Sequence, residues 1–170
     1  EKYMPNQCHI LDAGCGSGRD TAYFLKQGYR VTAFDASEEM VRLATNFTGQ
    51  GILLMTFQEI EAVETFDGIW ACASLLHVSR AQIDEVLSRL SRSLKTDGAF
   101  YLSFKYGDEE VVRHGRIFNN YTEKSFRQLL SEHTGLSIAE IWITEDLRSE
   151  RKSEKWLNVI LVKKQGVYQV

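Results

Sequence analysis

The sequence has little proline, little cysteine and no excess of positive charge. Pro5 is the only proline in 170 residues, so glycine and small polar residues must punctuate the chain. Three cysteines, Cys8, Cys15 and Cys72, form an odd set with no CxxC pair. No zinc ribbon or disulfide framework follows, and no metal centre is expected. The thiols read as small buried hydrophobes of a reducing, cytoplasmic compartment. Twenty Lys and Arg against twenty-three Asp and Glu leave a net charge of −3. That balance argues against a dedicated nucleic-acid binder. No apolar run approaches the roughly 18 residues of a membrane helix. The longest, Ile69 to Leu76, is strand-sized and interrupted by Ser74. No secretory leader, repeat or low-complexity tract stands out. What is present, 44% hydrophobic and 25% charged residues, is ordinary globular composition. One domain over residues 1–170 is expected.

Strand and helix patterns alternate along the chain. His9–Ala13 reads as a short buried strand running into Gly14, and Asp20–Gln27 as a helix closed by Gly28. Tyr29–Phe34 is a second strand ending at Asp35. Ser37 is a good N-cap for the next helix, with Glu38 and Glu39 in its positive first turn. Ile52–Met55 and the very apolar Phe66–Ala73 are the third and fourth strands. A helix over Arg80–Leu94 keeps Ile83, Val86, Leu87, Leu90 and Leu94 at helical spacing. After a turn at Asp97-Gly98, Ala99–Lys105 is the fifth strand. Residues 106–121 read as a polar loop, and Thr122–His133 as a helix capped by Thr122. Leu136–Thr144 and Trp156–Lys163 are two final strands, joined by the charged stretch Asp146–Lys155. Such alternation implies parallel strands with right-handed crossovers, and a closing strand pair implies an antiparallel edge. The fold class is α/β, a three-layer sandwich.

The most informative segment is Ile10-Leu11-Asp12-Ala13-Gly14-Cys15-Gly16-Ser17-Gly18-Arg19-Asp20. It passes from strand to helix through glycines, where backbone N–H groups and a helix N-terminus face a ligand at the carboxyl end of the sheet. Its G-x-G-x-G spacing lacks the third glycine of a dinucleotide fingerprint, and no Gly-Lys-Ser/Thr follows to make a P-loop. Asp35, closing the second strand, reads either as a turn cap or as an acceptor for a ribose diol.

Leu11-Asp12-Ala13-Gly14-Cys15-Gly16-Ser17-Gly18, with Asp35-Ala36-Ser37 and Met40, resembles the class I S-adenosylmethionine-dependent methyltransferases. Gly18-Arg19-Asp20 and the compact size look like the small bacterial tellurite-resistance-type and ubiquinone-biosynthesis-type members. The resemblance spans essentially the whole chain. It implies a Rossmann-like seven-stranded sheet of order 3-2-1-4-5-7-6 with strand 7 antiparallel, and S-adenosylmethionine as cofactor, leaving as S-adenosylhomocysteine. By the same resemblance, Gly14, Cys15, Gly16 and Gly18 meet the methionine and ribose parts, and Asp12 orients the turn and contacts the amino group. Arg19 faces the methionine carboxylate or forms a surface ion pair. Asp35 holds the ribose hydroxyls, and Ala36 and Met40 line the adenine pocket, Met40 having plain core packing as its other reading. The acid often found after the third strand is Thr56 here, so Phe57 and Gln58 are assigned to the adenine. Ala73 and Leu75, after the fourth strand, contact the cofactor by backbone or packing. His77 reads as a general base or as a helix-entry residue bonded to backbone.

The family chemistry is an in-line displacement that needs a base only for a protonated acceptor. The Asn/Asp-Pro-Pro-Tyr/Phe motif of amino methylation is absent after the fourth strand. Acceptor contacts are expected from Tyr106, His114, Arg116, Phe118 and Tyr121, and from Asp146, Arg148, Trp156 and Asn158. Arg116 and Arg148 are candidates to clamp an anion, with the run from Arg148 to Lys155 also readable as a solvated face. The expected acceptor is a small molecule; a homodimer is one candidate assembly, and neither a membrane nor a nucleic-acid partner is expected. The alternatives are an RNA methyltransferase and a non-catalytic S-adenosylmethionine-binding module. A nicotinamide oxidoreductase would need a Tyr-x-x-x-Lys pair, and Tyr121 to Lys124 is one residue short.

Overall fold

A computed structural model describes residues 2–133, 135–146 and 154–164. Its frame is a seven-stranded sheet built from β1 (His9–Ala13), β2 (Arg30–Asp35), β3 (Leu53–Leu54), β4 (Phe66–Ala71), β5 (Leu94–Lys105), β8 (Leu136–Glu145) and β9 (Lys155–Lys163). The order across it is β3-β2-β1-β4-β5-β9-β8. The first five pair in parallel, and β9 runs antiparallel to both β5 and β8. The remaining strands, β6 (Glu110–Arg113) and β7 (Arg116–Asn119), make a separate two-stranded hairpin. With that hairpin set aside, β8 and β9 are the sixth and seventh strands of the sheet, and the order is the one the resemblance implies.

Helices cover both faces. Helix α1 (Arg19–Lys26) and α2 (Glu38–Thr48) insert Phe24 and Ala44 against Ile10, Val31 and Ala33. Helices α3 (Ile83–Ser93) and α4 (Glu123–Ser131) lie on the opposite face. There Ile83, Val86, Leu87, Leu90, Phe126 and Leu130 pack on Ile69, Phe100, Leu102, Phe104 and Val159. Alternation along β5 sorts its side chains: Phe100, Leu102 and Phe104 enter this core, and Tyr101, Ser103 and Lys105 take the other face. Ser37 caps α2 by accepting from the Met40 N–H at 3.4 Å, and Thr122 caps α4 by accepting from the Ser125 N–H at 3.2 Å.

The structure departs from the sequence reading in four places. Residues 110–119, read as loop, form the β6–β7 hairpin, whose apolar Val111, Val112, Ile117 and Phe118 stand between charged and polar residues in runs too short to show a period. Helix α3 begins at Ile83 rather than Arg80, because the Arg80 N–H donates to Glu110 Oε2 at 2.6 Å and its guanidinium reaches Asn119 Oδ1 and the Asn120 carbonyl. Strand β3 contracts to Leu53–Leu54, both exposed at the sheet edge. Strand β5 starts at Leu94. Its pairing jumps from Phe66 opposite Leu94 to Gly68 opposite Ala99, and the expected turn survives as an excursion with Asp97 at φ 62°.

The first crossover is fixed by packing as well as by hydrogen bonds. Gly18 stands at φ 84°, and a Cβ there would meet Thr48 Cγ2 at 2.9 Å and Ala44 Cβ at 3.0 Å. Gly18→Ala is therefore expected to lower stability by about 1–3 kcal/mol, from backbone strain and overpacking together. Urea unfolding at fixed pH checks this; a midpoint equal to wild type would show that α1 and α2 separate freely.

Candidate active site

The carboxyl ends of β1, β2, β4 and β5 meet at one cleft. At the end of β2 the Phe34 carbonyl accepts from the Gly14 and Cys15 N–H groups at 3.0 and 2.9 Å. The next residue, Asp35, accepts from the Gly16 N–H through Oδ2 and from the Ser37 N–H through Oδ1, each at 2.9 Å. The turn between β1 and α1 is thereby tied to the N-terminus of α2. Asp12 lies beneath it, 3% exposed, and accepts from the Thr21 hydroxyl at 2.6 Å. Burial pushes its pKa up to about 7; the Thr21 hydrogen bond opposes the rise, and the charges of Asp20 and Asp35 add to it. Asp12, Gly14, Cys15, Gly16, Ser17, Arg19, Asp20, Cys72 and Ala73 line an open-mouthed chamber of about 250 Å³. The space in front of Gly16 is open: a Cβ there would meet nothing within 4 Å.

Arg19 bonds Asp20 at 2.8 Å with 80% of its side chain exposed, the surface ion pair of its two readings, and also borders the chamber. Burial works against the Asp20 carboxylate, but hydrogen bonds from Arg19 and the Trp70 indole outweigh it and hold its pKa below the usual range. Burial raises the Cys15 thiol to about 12, helped by Asp12, and it raises Cys72 too, helped by Asp20. Both are kept as thiols, consistent with small hydrophobes rather than nucleophiles.

Ala73 divides this chamber from a larger one. It holds φ 52°, and its N–H is caught by the Ser103 hydroxyl at 2.9 Å. Strain of this kind persists only where the surroundings impose it. Beyond Ala73 lies a cavity of about 830 Å³ that shares Arg19, Cys72 and Ala73 with the first. Leu76, His77, Arg116, Phe118, Trp156 and Asn158 line it, with Tyr101, Ser103 and Lys105 from β5 and Thr144, Glu145 and Asp146 from the end of β8. The His77 Nδ1 lies 2.8 Å from the Ile117 carbonyl, and its ring meets Phe118 edge-on at 5.0 Å. A carbonyl can only accept, so Nδ1 carries the proton and Nε2 keeps the lone pair in the neutral ring. Trp156 donates its indole N–H to Asp146 at 3.1 Å, and Tyr101 donates to Asn158 at 2.8 Å.

The structure thus gathers Asp12, Gly14, Cys15, Gly16, Arg19 and Ala73 around one chamber and His77, Arg116, Phe118, Trp156, Asp146 and Asn158 around its neighbour. Phe57 sits edge-on to Phe34 at 5.3 Å in a single helical turn with Gln58, close to the Gly14 side of the cleft. Ala36 is exposed and Met40 half-buried at the start of α2. The Leu75 side chain is wholly buried in the main core, which leaves the backbone contact of its two readings. Two expectations need correction. Tyr121 is 4% exposed, packed against Phe104 and Phe126, because its backbone N–H pairs back onto the Lys105 carbonyl and turns the ring inward. Tyr106 points away from the large cavity and donates to Glu123 at 2.9 Å. His114 borders an adjoining cavity, and Arg148 lies outside the described residues. Sequence reasoning missed Tyr101, Ser103 and Lys105, although their alternation with Phe100, Leu102 and Phe104 is the signal that marks them.

A family model described as a methyltransferase domain matches residues 10–98. A protein of Geobacillus sp. (strain WCH70) named as a methyltransferase is 33% identical over 126 residues, covering 69% of this chain and 51% of its own length. The tRNA U34 carboxymethyltransferase of Shewanella loihica is 27% identical over 166 residues, covering 87% of this chain and 50% of its own. The chain thus spans about half the length of the curated relatives it matches. Among solved structures, the Burkholderia thailandensis 1,6-didemethyltoxoflavin-N1-methyltransferase, holding 1,6-didemethyltoxoflavin and S-adenosylhomocysteine, superposes with a TM-score of 0.80 at 27% identity. That match covers 94% of this chain and 72% of that one.

The buried acid gives a pH test. The folded pKa of Asp12, about 7, lies above the 3.8 of a free carboxyl, so the folded state retains a proton that the unfolded chain has released. Stability must fall as pH rises between about 4 and 7 and then level off with respect to this group. Asp12→Asn is expected to remove that decline, so that the variant gains on wild type from pH 5 to pH 8. Thermal melts of both proteins across this range measure the difference, and parallel curves would place the titration elsewhere.

Proposed function

We propose that this chain, which belongs to the methyltransferase domain family, transfers a methyl group to a small-molecule acceptor seated in the 830 Å³ cavity. The cofactor is S-adenosylmethionine, as its family and its Burkholderia neighbour with bound S-adenosylhomocysteine indicate. The observation that carries the reading is the continuity of the two chambers: they share Arg19, Cys72 and Ala73, and the Gly16 backbone stands open on one side with His77 on the other.

The residues present fit that cofactor. The glycine turn offers an approachable backbone at the start of α1. Asp12 is a buried acid suited to an ammonium group, which would favour its charged form. Each Asp35 oxygen uses one lone pair on a backbone N–H and has another left for a hydroxyl of the ribose. When bound, the cofactor supplies an activated methyl group on a sulfonium, open to in-line attack. The chain's part is then alignment, exclusion of water and removal of one proton. His77 is assigned to the proton: the Ile117 carbonyl holds Nδ1–H, leaving Nε2 as the basic atom. Phe118 and Trp156 are assigned to apolar contact with the acceptor, and Arg116 to its charge.

The small-molecule reading is supported by the 1,6-didemethyltoxoflavin bound to the Burkholderia neighbour and by the acidic charge balance. The Shewanella relative, whose name specifies tRNA, keeps an RNA acceptor as the second reading. Acceptor pools followed by S-adenosylhomocysteine release distinguish the two.

Two substitutions test the assignment. Asp35→Ala is expected to weaken S-adenosylhomocysteine binding by about tenfold or more, since it removes charge-assisted acceptors that cost roughly 1.5–3 kcal/mol each to lose. Calorimetry measures this, and an affinity equal to wild type would sink the ribose assignment. His77→Gln is expected to leave that affinity intact while lowering kcat by roughly 10²-fold or more on an O–H or N–H acceptor. Single-turnover rates with both proteins decide it.

A further inference from the structure

Beside the large cavity the β6–β7 hairpin carries, besides the Arg116 and Phe118 assigned above, a second arginine that the methyl-transfer reading leaves without a part. Arg113 stands directly opposite Arg116, with Val111 opposite Phe118 behind them. His114-Gly115 turns the chain with φ 51° and 74°, the paired positive values of a tight hairpin turn. Alternation puts Arg113, Arg116, Val111 and Phe118 on one face. That face is turned to the cleft. Arg116 and Phe118 line the 830 Å³ cavity, and both arginines with Phe118 line an adjoining one of about 390 Å³ with Lys105, His114 and Glu154. The hairpin is held from elsewhere, through the His77–Ile117 bond and the bonds of Arg80 to Asn119 and the Asn120 carbonyl.

Like charges directly opposed across a strand pair repel. The nearby acid does not relieve them: Glu154 is taken by Lys105 at 2.6 Å, and Lys105 lies 5.3 Å over the Phe118 ring. Glu109, which shares a smaller cavity with Arg113, makes no ion pair with it. Among the described residues, neither arginine has a hydrogen-bond or ion-pair partner. Two unneutralised guanidinium forks therefore border one cavity.

We propose that the acceptor is bipartite. Its anionic group, a phosphate or a carboxylate, is gripped by Arg113 and Arg116, and its body runs along Phe118 toward His77. The second half rests on the methyl-transfer reading; the anion site does not. Guanidinium forks match the oxygen spacing of both anions. A small acceptor is favoured over a polynucleotide because the chain as a whole carries a net charge of −3.

The test uses thermal melts of wild type, Arg116→Gln and the Arg113→Gln/Arg116→Gln double variant. Each is titrated with inorganic pyrophosphate and with isophthalate, in the presence and absence of S-adenosylhomocysteine. Without anion, both variants are expected to melt above wild type, because the repulsion is gone. With anion, wild type is expected to be stabilised, and the apparent dissociation constant to weaken about tenfold in the single variant and further in the double. A response to pyrophosphate alone assigns a phosphate, and one to isophthalate alone a carboxylate. No response in wild type, or an equal response in all three proteins, overturns the anion site. A short single-stranded RNA that binds more tightly than pyrophosphate, with a steep salt dependence lost in the double variant, overturns the small acceptor. Failure of S-adenosylhomocysteine to stabilise any of the proteins counts against methyl transfer, and the cofactor-free titrations still decide the arginine pair.

Discussion

The end of β2 is the point on which the cleft depends. One carbonyl, of Phe34, and one carboxylate, of Asp35, together receive four backbone N–H groups from two different connections. Three come from the first turn and one from the start of α2, so a loop and a helix terminus are fixed by two consecutive residues. The carboxylate is the stronger partner, since bonds to an ionised acceptor are worth roughly twice neutral ones. It also occupies donors that a helix start would otherwise leave to water. The same atoms that shape the cradle remain able to accept from a ligand, which makes Asp35 structural and receptive at once.

Around that anchor the two chambers have opposite character. The smaller is acidic and backbone-lined, with Asp12, Asp20 and two thiols kept protonated by burial. The larger is aromatic and basic on its hairpin side, with Phe118, Trp156, Arg116 and Lys105. A cationic amino-acid tail suits the first, and an electron-rich or anionic ligand the second. The strained Ala73, fastened by Ser103, stands where the two meet.

Most of the sheet and the glycine turn were legible because their signals are local. Period-two and period-3.6 patterns, Ser37 and Thr122 as caps, and Gly18 at a helix start each need only a few neighbouring residues. The β6–β7 hairpin was not legible. Its strands are four residues long, carry Arg113, Arg116 and Glu110, and are recognisable only once pairing is seen. Tyr121 was misjudged for a related reason: its direction is set by a bond to Lys105, sixteen residues earlier, and not by its own segment. Sequence spacing located the glycine turn that lines the smaller chamber, but the walls of the larger one are assembled from β5, β8, β9 and the hairpin, which only the fold brings together.

The two layers of packing are unequal. Among the described residues, twenty-five buried side chains form the cluster under α3 and α4, against seven under α1 and α2. The glycine cradle is carried on the thinner side. Local opening follows the depth of apolar burial, so amide protons of α2 will exchange with solvent sooner than those of α3. A ligand bridging the first turn to Asp35 therefore acts as a clasp on the half of the molecule that breathes, and its arrival will be read as slowed exchange there while the thicker half stays unchanged.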